Sequence, residues 1–325
     1  MLNKNKIKKI LVIKTRALGD TLLATPTIHA LRQEFLQAYL TVLVSPKGQE
    51  IVQANPDIDE IIVYDKTNFN LKAYWQLIKK IKREKFDLSI ALHASFRTAL
   101  IARLSQAPYR VVNNHSGSNY FATIKIIEPK IAKSSIQRDL DAVRALGINK
   151  NPSEKLILNI NISANQRVEE FLETNKIIKD NYLVLFPDAS KEYKKMPINL
   201  AVDILSAIYF TSKLPWVILS SPNNKVLAEE IKKRLNLPVS IFAGNIKEVG
   251  VLLNMSQGLV TTDSGPKHIA VAVNTPTLTL WTNEPESEWH PYAREKHKIL
   301  RSNTGKISDI SSAEVVTKIK HFFDI

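Results

Sequence analysis

The sequence predicts an α/β protein made of two successive doubly wound halves. Short apolar runs such as Lys8–Ile13 (KKILVI) and Tyr182–Phe186 (YLVLF) show no alternation with polar residues, which is typical of parallel strands buried on both faces. Amphipathic helical patterns alternate with these runs, as in doubly wound sheets. The pattern weakens between Asn113 and Asn161 and then restarts, and 325 residues are enough for two domains. We therefore expect one domain over residues 1–165 and a second over 166–325.

The elements of the first half follow from apolar runs and helical spacing. A helical pattern follows the polar turn Thr15–Asp20, and Pro26 either begins this helix or kinks one that starts at Asp20. The other predicted strands are Leu40–Val44, Ile61–Tyr64, Leu88–Leu92 and Val111–Val112, and the other predicted helices lie near Gly48–Ala54, Leu71–Ile81 and Thr98–Leu104.

The second half repeats the same alternation. Its predicted strands are Tyr182–Phe186, Trp216–Leu219 and Val239–Ile241, and its predicted helices are Val168–Leu172, Leu200–Ile208, Val226–Leu235 and Val249–Leu253.

The stretch Gly258–Trp281 closes the second half and reads as strand, tight polar turn, helix and strand. Pro266 suits the first turn of the helix, because proline has no N–H to lose there. Such a turn leaves backbone N–H groups unpaired at a positively polarised helix end, where a phosphate can bind. The alternative is that Asp263 or Ser264 is only an N-cap and Gly265 only a turn residue.

Composition points to an anionic partner. Lys and Arg number 45 against 31 Asp and Glu, a net charge of +14, which favours nucleic acid, an anionic membrane surface or a phosphorylated small molecule. A solvated basic surface is the alternative. No apolar run approaches the roughly 18–20 residues that span a bilayer, and Lys14 and Arg16 interrupt the apolar run Ile10–Ile13, so we expect a cytosolic protein. The absence of cysteine excludes disulfides and thiol chemistry but does not by itself fix the compartment.

Ligands of open α/β sheets bind beyond the carboxyl ends of the strands, so the residues there are the candidates. Asp20 follows Gly19 in a predicted loop, where its carboxylate can accept a proton from a hydroxyl, or serve only as an N-cap. Lys194 and Lys195 follow a strand and can neutralise a pyrophosphate, or be exposed loop lysines. His268 lies early in a helix and can reach a phosphate or sugar hydroxyl, or be a structural histidine.

Several common motifs are missing from the sequence. There is no G-x-G-x-x-G after the first strand, no G-x-x-x-x-G-K-[ST], no H-E-x-x-H or cysteine cluster, and no G-x-S-x-G elbow. A phosphate site in one half and a carboxylate in the other remain. This combination suits group transfer from an activated donor.

Two signatures carry a family resemblance. Lys14–Asp20 (KTRALGD), with Pro26 behind it, resembles the N-terminal signature of the family 9 glycosyltransferases, the bacterial heptosyltransferases. Thr262–Ala270 (TDSGPKHIA) resembles their C-terminal signature. Three shorter matches follow the family's order between them: Phe86–Leu88 with Arg97, Lys194–Pro197, and Phe242–Gly244.

The resemblance implies a GT-B fold: two doubly wound Rossmann-like domains facing a central cleft, with residues 1–165 on the acceptor side and 166–325 binding the nucleotide-sugar. In this fold the last helix, here Ala313–Phe323, often returns to the first domain. The implied reaction transfers a heptose from a nucleotide donor, typically ADP-heptose, to the inner core of lipopolysaccharide. It inverts the anomeric centre and needs neither a metal nor a cofactor.

The resemblance also implies residue roles. Asp20 is the expected base that deprotonates the acceptor hydroxyl, and Lys194 balances the charge on the departing diphosphate. Donor contacts are expected from Lys195, Asp263, Ser264, Gly265, Pro266, Lys267 and His268, and acceptor contacts from Lys14, Arg16, His93, Arg97 and the Asn113–Tyr120 loop.

The sequence departs from the family pattern at three places. Met196 stands where tryptophan is usual, Ser220–Pro222 replaces a glycine-rich turn, and Thr282–Glu284 lacks the usual glycine and proline-threonine. We expect all three to flank the donor site, which leaves the nucleotide or its sugar open.

The leading hypothesis is an inverting sugar transferase that acts on an anionic saccharide-lipid. It would be cytoplasmic and peripherally associated with the inner face of the inner membrane, with no nucleic acid as partner. One alternative keeps the fold and transfers a heptose or another sugar to a protein or a different surface glycan. A distant alternative, a non-catalytic nucleic-acid-binding protein, rests on charge alone.

Overall fold

The computed structural model describes residues 2–16, 18–65, 67, 70–93, 95–113, 118–126, 133–148, 151–222 and 224–325. Contacts divide the chain into two compact units. The first unit is Met1–Asn159 with Ser287–His290, and the second is Ile160–Glu286 with Pro291–Ile325. The division falls slightly before the boundary expected from the sequence.

The first unit contains a five-stranded parallel sheet in the order β3-β2-β1-β4-β5. Apolar side chains of β1, β2 and β4 are buried on both faces of the sheet, as the continuous apolar runs predict. The strands are β1 (Lys9–Lys14), β2 (Tyr39–Val44), β3 (Glu60–Val63), β4 (Leu88–Ala91) and β5 (Tyr109–Val112). The helices are α1 (Leu18–Leu23), α2 (Thr25–Glu34), α3 (Pro46–Val52), α4 (Leu71–Glu84), α5 (Phe96–Leu104) and α6 (Ser135–Ala145).

Asp20 lies in a helix and not in the predicted loop. The chain turns into α1 at Leu18, so Asp20 occupies the first helical turn, where a carboxylate is favoured by the helix dipole. Pro26 stands at the start of a separate helix, α2, which follows α1 after a single residue. The predicted kink is therefore a junction between two short helices.

Helix α6 is the element that the sequence pattern missed in this unit. It begins with a capping box in which Ser134 and Gln137 satisfy each other's backbone N–H groups. Its buried side includes Asp139 and Asp141, and these charges weaken the apolar period by which helices are recognised.

The second unit contains a six-stranded parallel sheet in the order β11-β10-β9-β6-β7-β8. The strands are β6 (Leu183–Phe186), β7 (Trp216–Ser220), β8 (Ser240–Ala243), β9 (Gly258–Thr262), β10 (Thr277–Trp281) and β11 (His297–Arg301). The helices of this part of the chain are α7 (Ile162–Thr174), α8 (Ile198–Ser212), α9 (Val226–Arg234), α10 (Ile246–Asn254), α11 (Gly265–Ala272), α12 (Glu286–Trp289) and α13 (Ser312–Phe323). Of these, α12 lies almost entirely in the segment Ser287–His290, which belongs to the first unit. Strand β11 and helix α12 were not predicted.

The C-terminal helix belongs to the second unit, where it packs on α8. Val315, Ile319 and Phe323 are buried in this unit's core. The ring of Phe323 lies so close to Gly258 that a β-carbon there would approach it to 2.0 Å, so β9 must begin with glycine. The segment that joins the first unit is Ser287–His290, and not the last helix as the resemblance implied.

Each sheet has a topological switch point, a place between two adjacent central strands from which the connections run to opposite sides of the sheet. It lies between β1 and β4 in the first unit and between β6 and β9 in the second. Ligand sites of doubly wound proteins form at such points. These two places are therefore the ones to inspect for function.

Candidate active site

A pocket of about 210 Å³ lies at the switch point of the first unit. It begins where β1 and β4 end, and α1, α6 and α12 supply the rest of its wall. Four of the predicted site residues line it: Lys14, Arg16, Asp20 and His93. Its other lining residues are Leu92, Asn113, Ser135, Arg138, Asp139, Glu288 and Trp289.

Asp20 is only loosely held in this pocket. The guanidinium of Arg16 lies 3.6 Å from its carboxylate, and the side chain of Asp20 is 18% exposed. A carboxylate that is partly exposed, and has no partner at hydrogen-bond distance among the described residues, keeps lone pairs available for a substrate hydroxyl. The position is suitable for a general base.

A buried ion pair lies at the base of the same pocket. The Lys14 ammonium is 2.5 Å from the carboxylate of Asp139, and both side chains are almost fully buried. Burial raises the pKa of Asp139 to about 6, although the charge of Lys14 opposes the shift, and the nearby charge of Asp20 adds to it. The charge of Lys14 is therefore already balanced by the Asp139 carboxylate before any substrate binds.

The remaining acceptor predictions divide between the pocket and its surroundings. Of the loop Asn113–Tyr120, residues 114–117 lie outside the described residues, and Asn113 lines the pocket. Arg97 is not among the described residues that line the pocket; it lies near the hydroxyl of Tyr74, whose pKa is raised by burial against the effect of the Arg97 charge. Arg138, which was not predicted, lines the pocket and forms an ion pair with Glu288.

A second cluster of charges lies at the switch point of the second unit. Asp263 follows β9, and Lys194 lies in a 3₁₀ turn (Glu192–Lys194) in the loop after β6. The Asp263 carboxylate lies 2.7 Å from the Lys194 ammonium and 2.6 Å from that of Lys267. Burial alone would raise the pKa of Asp263, but the two ammonium groups hold it at about 2.

The two lysines of this cluster differ in their access to a ligand. The side chain of Lys267 is 0% exposed, and its ammonium lies 4.4 Å from the centre of the Trp281 ring. Its side chain therefore supports Asp263 and is not exposed to a donor. The side chain of Lys194 is 11% exposed, so it is the lysine that a phosphate can reach.

Glu284 completes the cluster, and the sequence did not predict its role. Its carboxylate lies 3.1 Å from the Lys194 ammonium and accepts a hydrogen bond of 2.8 Å from Tyr193. That hydrogen bond and the neighbouring Lys194 lower the pKa of Glu284 against the effect of its burial. Two carboxylates, Asp263 and Glu284, thus balance the two ammonium groups of Lys194 and Lys267.

The start of α11 matches the phosphate-site hypothesis better than the N-cap alternative. Ser264 occupies the N-cap position, but its side chain makes no capping hydrogen bond and instead contacts Thr261 at 3.0 Å. The carboxylate of Asp263 is paired with lysines. The N–H groups that open α11, from Gly265 onward with Pro266 lacking one, thus have no side-chain cap from Ser264.

His268 and Lys195 are engaged elsewhere. The His268 ring lies 2.5 Å from the Tyr292 hydroxyl and is buried, which agrees with the structural alternative for this histidine. Lys195 pairs with Glu192 at 2.7 Å and lies 3.8 Å from Asp188.

The departures from the family pattern lie in different surroundings. Met196 is buried in the hydrophobic core of the second unit. Ser220 closes the turn after β7 by donating to the carbonyl of Asn224 at 2.9 Å. Thr282–Glu284 is the departure that reaches the charged cluster, through Glu284.

Within the described residues there is no group of three or more His, Cys, Asp or Glu side chains arranged to hold a metal ion. In the same part of the chain, no helix is both long and apolar enough to cross a lipid bilayer.

Comparisons with known proteins identify the family. The profile of glycosyltransferase family 9 (heptosyltransferase) matches residues 74–320, a range that contains Lys194 and Asp263 but not Asp20. Lipopolysaccharide heptosyltransferase 3 of Escherichia coli is 26% identical over 292 residues, which cover 85% of this chain and 84% of that protein.

Two solved structures show the same fold. The family 9 glycosyl transferase of Veillonella parvula superposes with a TM-score of 0.86 at 21% identity, covering 97% of both chains. The ADP-heptose lipopolysaccharide heptosyltransferase II of Escherichia coli superposes with a TM-score of 0.81 at 18% identity, covering 97% of this chain and 98% of that one. The two parallel-sheet domains therefore form a GT-B fold, and the chain belongs to glycosyltransferase family 9, the heptosyltransferase family.

Proposed function

We propose that this glycosyltransferase moves a heptose from ADP-heptose to the inner core of lipopolysaccharide, with inversion at the anomeric carbon. One observation carries the proposal: a loosely held carboxylate lines the pocket of one switch point, and an ammonium group held by Asp263 lies at the other. A displacement reaction at a sugar needs a base for the nucleophile and a counter-charge for the leaving group. The names of the relatives, which include ADP-heptose and lipopolysaccharide, support this donor and acceptor.

Asp20 would act on the acceptor. Its carboxylate takes the proton from an acceptor hydroxyl while the hydroxyl oxygen forms a bond to the anomeric carbon of the heptose. The bond from that carbon to the diphosphate oxygen breaks, and ADP leaves with the bonding electron pair. Attack from the face opposite the leaving group inverts the anomeric configuration.

Lys194 and the start of α11 would act on the leaving group. The Lys194 ammonium balances the charge that develops on the diphosphate, and the first N–H groups of α11 bind its oxygens. Burial opposes the charge on Lys194, but Asp263 and Glu284 together outweigh it, so the pKa of Lys194 is raised and the side chain stays charged. The positive charge comes from the side chain itself, so we expect no requirement for a metal ion or other cofactor.

The acceptor would be an anionic saccharide-lipid at the cytoplasmic face of the inner membrane. Lys14 and Arg138 are already paired with Asp139 and Glu288. Arg16, whose side chain is 46% exposed, is the cation of the first-unit pocket that phosphates or carboxylates of such an acceptor could reach. The net charge of +14 favours peripheral association with anionic membrane lipids.

A second candidate function keeps the chemistry but changes the substrates. Glu284 adds a carboxylate beside Lys194 at a place where the sequence departs from the family pattern. A donor other than ADP-heptose, or a protein or different glycan as acceptor, is consistent with this change.

A transfer assay separates the two candidates. Purified protein is incubated with ADP-heptose, UDP-sugars or GDP-sugars and a heptose-deficient lipopolysaccharide core, with and without EDTA. We expect a mass increase of one heptose with ADP-heptose only, inverted configuration by NMR, and no effect of EDTA. Transfer from a different nucleotide-sugar, or only to another acceptor, would instead support the second candidate.

A further inference from the structure

The outer face of α4 carries both apolar and basic side chains. Tyr74, Ile78 and Ile81 are buried on the inner side of the helix. On its outer side, Leu71 is 61% exposed and Trp75 is 57% exposed. Lysines at 79 and 82 continue the same stripe at helical spacing.

A groove of about 690 Å³ runs beside this stripe, between α4 and α5. Trp75, Ile78 and Leu104 give it apolar walls, and basic side chains stand around them. We name the α4 surface after the exposed stripe and this groove, and it consists of Leu71, Lys72, Trp75, Lys79 and Lys82 of α4 with Arg103 and Leu104 of α5.

The cations of the α4 surface are not neutralised by the protein. None of Lys72, Lys79, Lys82 and Arg103 forms an ion pair with any described residue. Their neighbours differ: Lys80 lies 2.8 Å from Glu60, and Lys9 lies 2.9 Å from Glu84. The acidic side chains near α4 thus pair with other lysines and leave four positive charges for an external partner.

We propose that the α4 surface binds the surface of an anionic lipid bilayer. Tryptophan favours the boundary between headgroups and acyl chains, and a lysine can extend its apolar stem along that boundary while its charge reaches a phosphate. An exposed Trp–Leu pair among uncompensated lysines matches this environment in both polarity and charge.

The position of α4 in the sheet fits this role. The helix connects β3 to β4 in a parallel sheet, so it starts at the edge where the strands end and runs toward the opposite edge. The pocket with Asp20 opens at the edge where α4 starts. A bilayer held at Leu71 and Trp75 would bring the headgroup of a membrane-embedded acceptor toward that pocket; only this step rests on the proposed function.

A vesicle-binding experiment tests the inference. The full chain is mixed with vesicles of phosphatidylcholine, alone or with phosphatidylglycerol, and sedimented. We expect binding to the anionic vesicles, weakened by salt, and a loss of affinity of about 30-fold in a variant with Trp75→Ala, Lys79→Gln and Lys82→Gln. All three side chains are exposed, so the variant should keep the wild-type melting temperature.

The second unit offers a matched control. Phe210→Ala with Lys232→Gln and Lys233→Gln also removes one exposed aromatic residue and two exposed lysines, and it should bind vesicles like wild type. The proposal is contradicted if both variants bind anionic vesicles as the wild type does, or if both lose the same affinity. Preferential binding of a short oligonucleotide that displaces the vesicles from the wild type also contradicts it.

A second measurement separates this inference from the proposed function. Transfer to a water-soluble acceptor should be unchanged in the α4 variant, because no substituted residue lines the Asp20 pocket. If no transfer is found in any protein but the α4 variant still loses vesicle binding, the proposed function fails and the membrane surface stands. If the α4 variant transfers sugar normally and binds vesicles as the wild type does, the membrane surface fails and the proposed function stands.

Discussion

The two switch points use similar residues in opposite ways. Each contains a buried lysine paired with an aspartate, Lys14 with Asp139 in the first unit and Lys267 with Asp263 in the second. In the first unit the pair lines the same pocket as Asp20, whose carboxylate has one ion-pair partner among the described residues, Arg16 at 3.6 Å. In the second unit the reactive candidate, Lys194, is itself held by two carboxylates.

This difference fits the two tasks. A base must keep a lone pair free for a proton, so its surroundings supply orientation and no tight partner. A counter-charge must remain charged when buried, so it needs carboxylates until the ligand arrives. In the first site the Asp20 carboxylate can accept a substrate hydroxyl without losing a tight partner. In the second site Lys194 has to give up a carboxylate contact when it binds the diphosphate.

The largest expected effect comes from removing Asp20, the proposed base. We expect Asp20→Asn to lower the turnover number about a thousandfold, since general-base catalysis typically contributes two to four powers of ten. The control is Glu50→Gln, which changes an exposed acid on α3 and should leave turnover intact. Near-normal turnover in Asp20→Asn would show that Asp20 is not the base, and the proposed difference in role between the two sites would fail.

The next effect tests the buried pair of the second unit. Lys267→Met removes one of two partners of a buried carboxylate and should lower the free energy of unfolding by about 3 kcal/mol in urea titrations. Lys195→Met breaks a partly exposed pair and should cost less than about 1 kcal/mol. Equal losses in the two variants would mean that Lys267 does not support Asp263.

Opposite pKa shifts give the two aspartates opposite effects on stability. The pKa of Asp263 is lowered to about 2, so its contribution is present above the unfolded-state pKa and is lost as the pH falls toward 2. The pKa of Asp139 is raised to about 6, so its contribution is present at low pH and is lost as the pH rises through 6.

The Asp139 effect can be measured by comparison with Asp139→Asn, which cannot take up the proton. Between pH 7 and pH 4.5 the wild type should gain about 2 kcal/mol of unfolding free energy relative to this variant. Asp203→Asn, at an exposed position of α8, should track the wild type over the same range. A wild type that loses stability relative to Asp139→Asn on acidification would show that the Asp139 pKa is not raised.

The smallest expected effect tests whether a bound diphosphate replaces Glu284 as a partner of Lys194. Glu284 competes with an incoming diphosphate for Lys194, so Glu284→Gln should bind ADP about fivefold more tightly, the effect of losing a partly exposed ion pair. Glu192→Gln removes a carboxylate that pairs with Lys195 and not with Lys194. ADP affinity should change little there, and a weaker affinity in Glu284→Gln would assign that carboxylate to ligand binding.

The elements that the sequence predicted well are those with uniform burial. The runs at Lys9–Lys14 and Leu183–Phe186 are buried central strands, and such strands need apolar residues at every position. The stretch after Gly258 was predicted as strand, turn, helix and strand for the same reason, with Pro266 marking the helix start. Fold class and family were therefore accessible from the sequence.

The parts that were missed depend on charges meeting across the chain. Helix α6 buries Asp139, whose partner Lys14 lies more than a hundred residues earlier in the chain. Asp20 was expected in a loop because Gly19 precedes it, yet packing of α1 against α3 keeps this short segment helical. The pairing of Lys194 with Glu284 joins two loops across the sheet and has no local signal.

Calorimetric titration of ADP into the wild type, Asp20→Asn and Lys194→Ala tests the division of labour between the two units most directly. The account predicts that Asp20→Asn binds ADP like the wild type, and that Lys194→Ala binds it about tenfold more weakly, because a charge-assisted contact is lost. Unchanged binding by Lys194→Ala, together with a loss in Asp20→Asn, would contradict it.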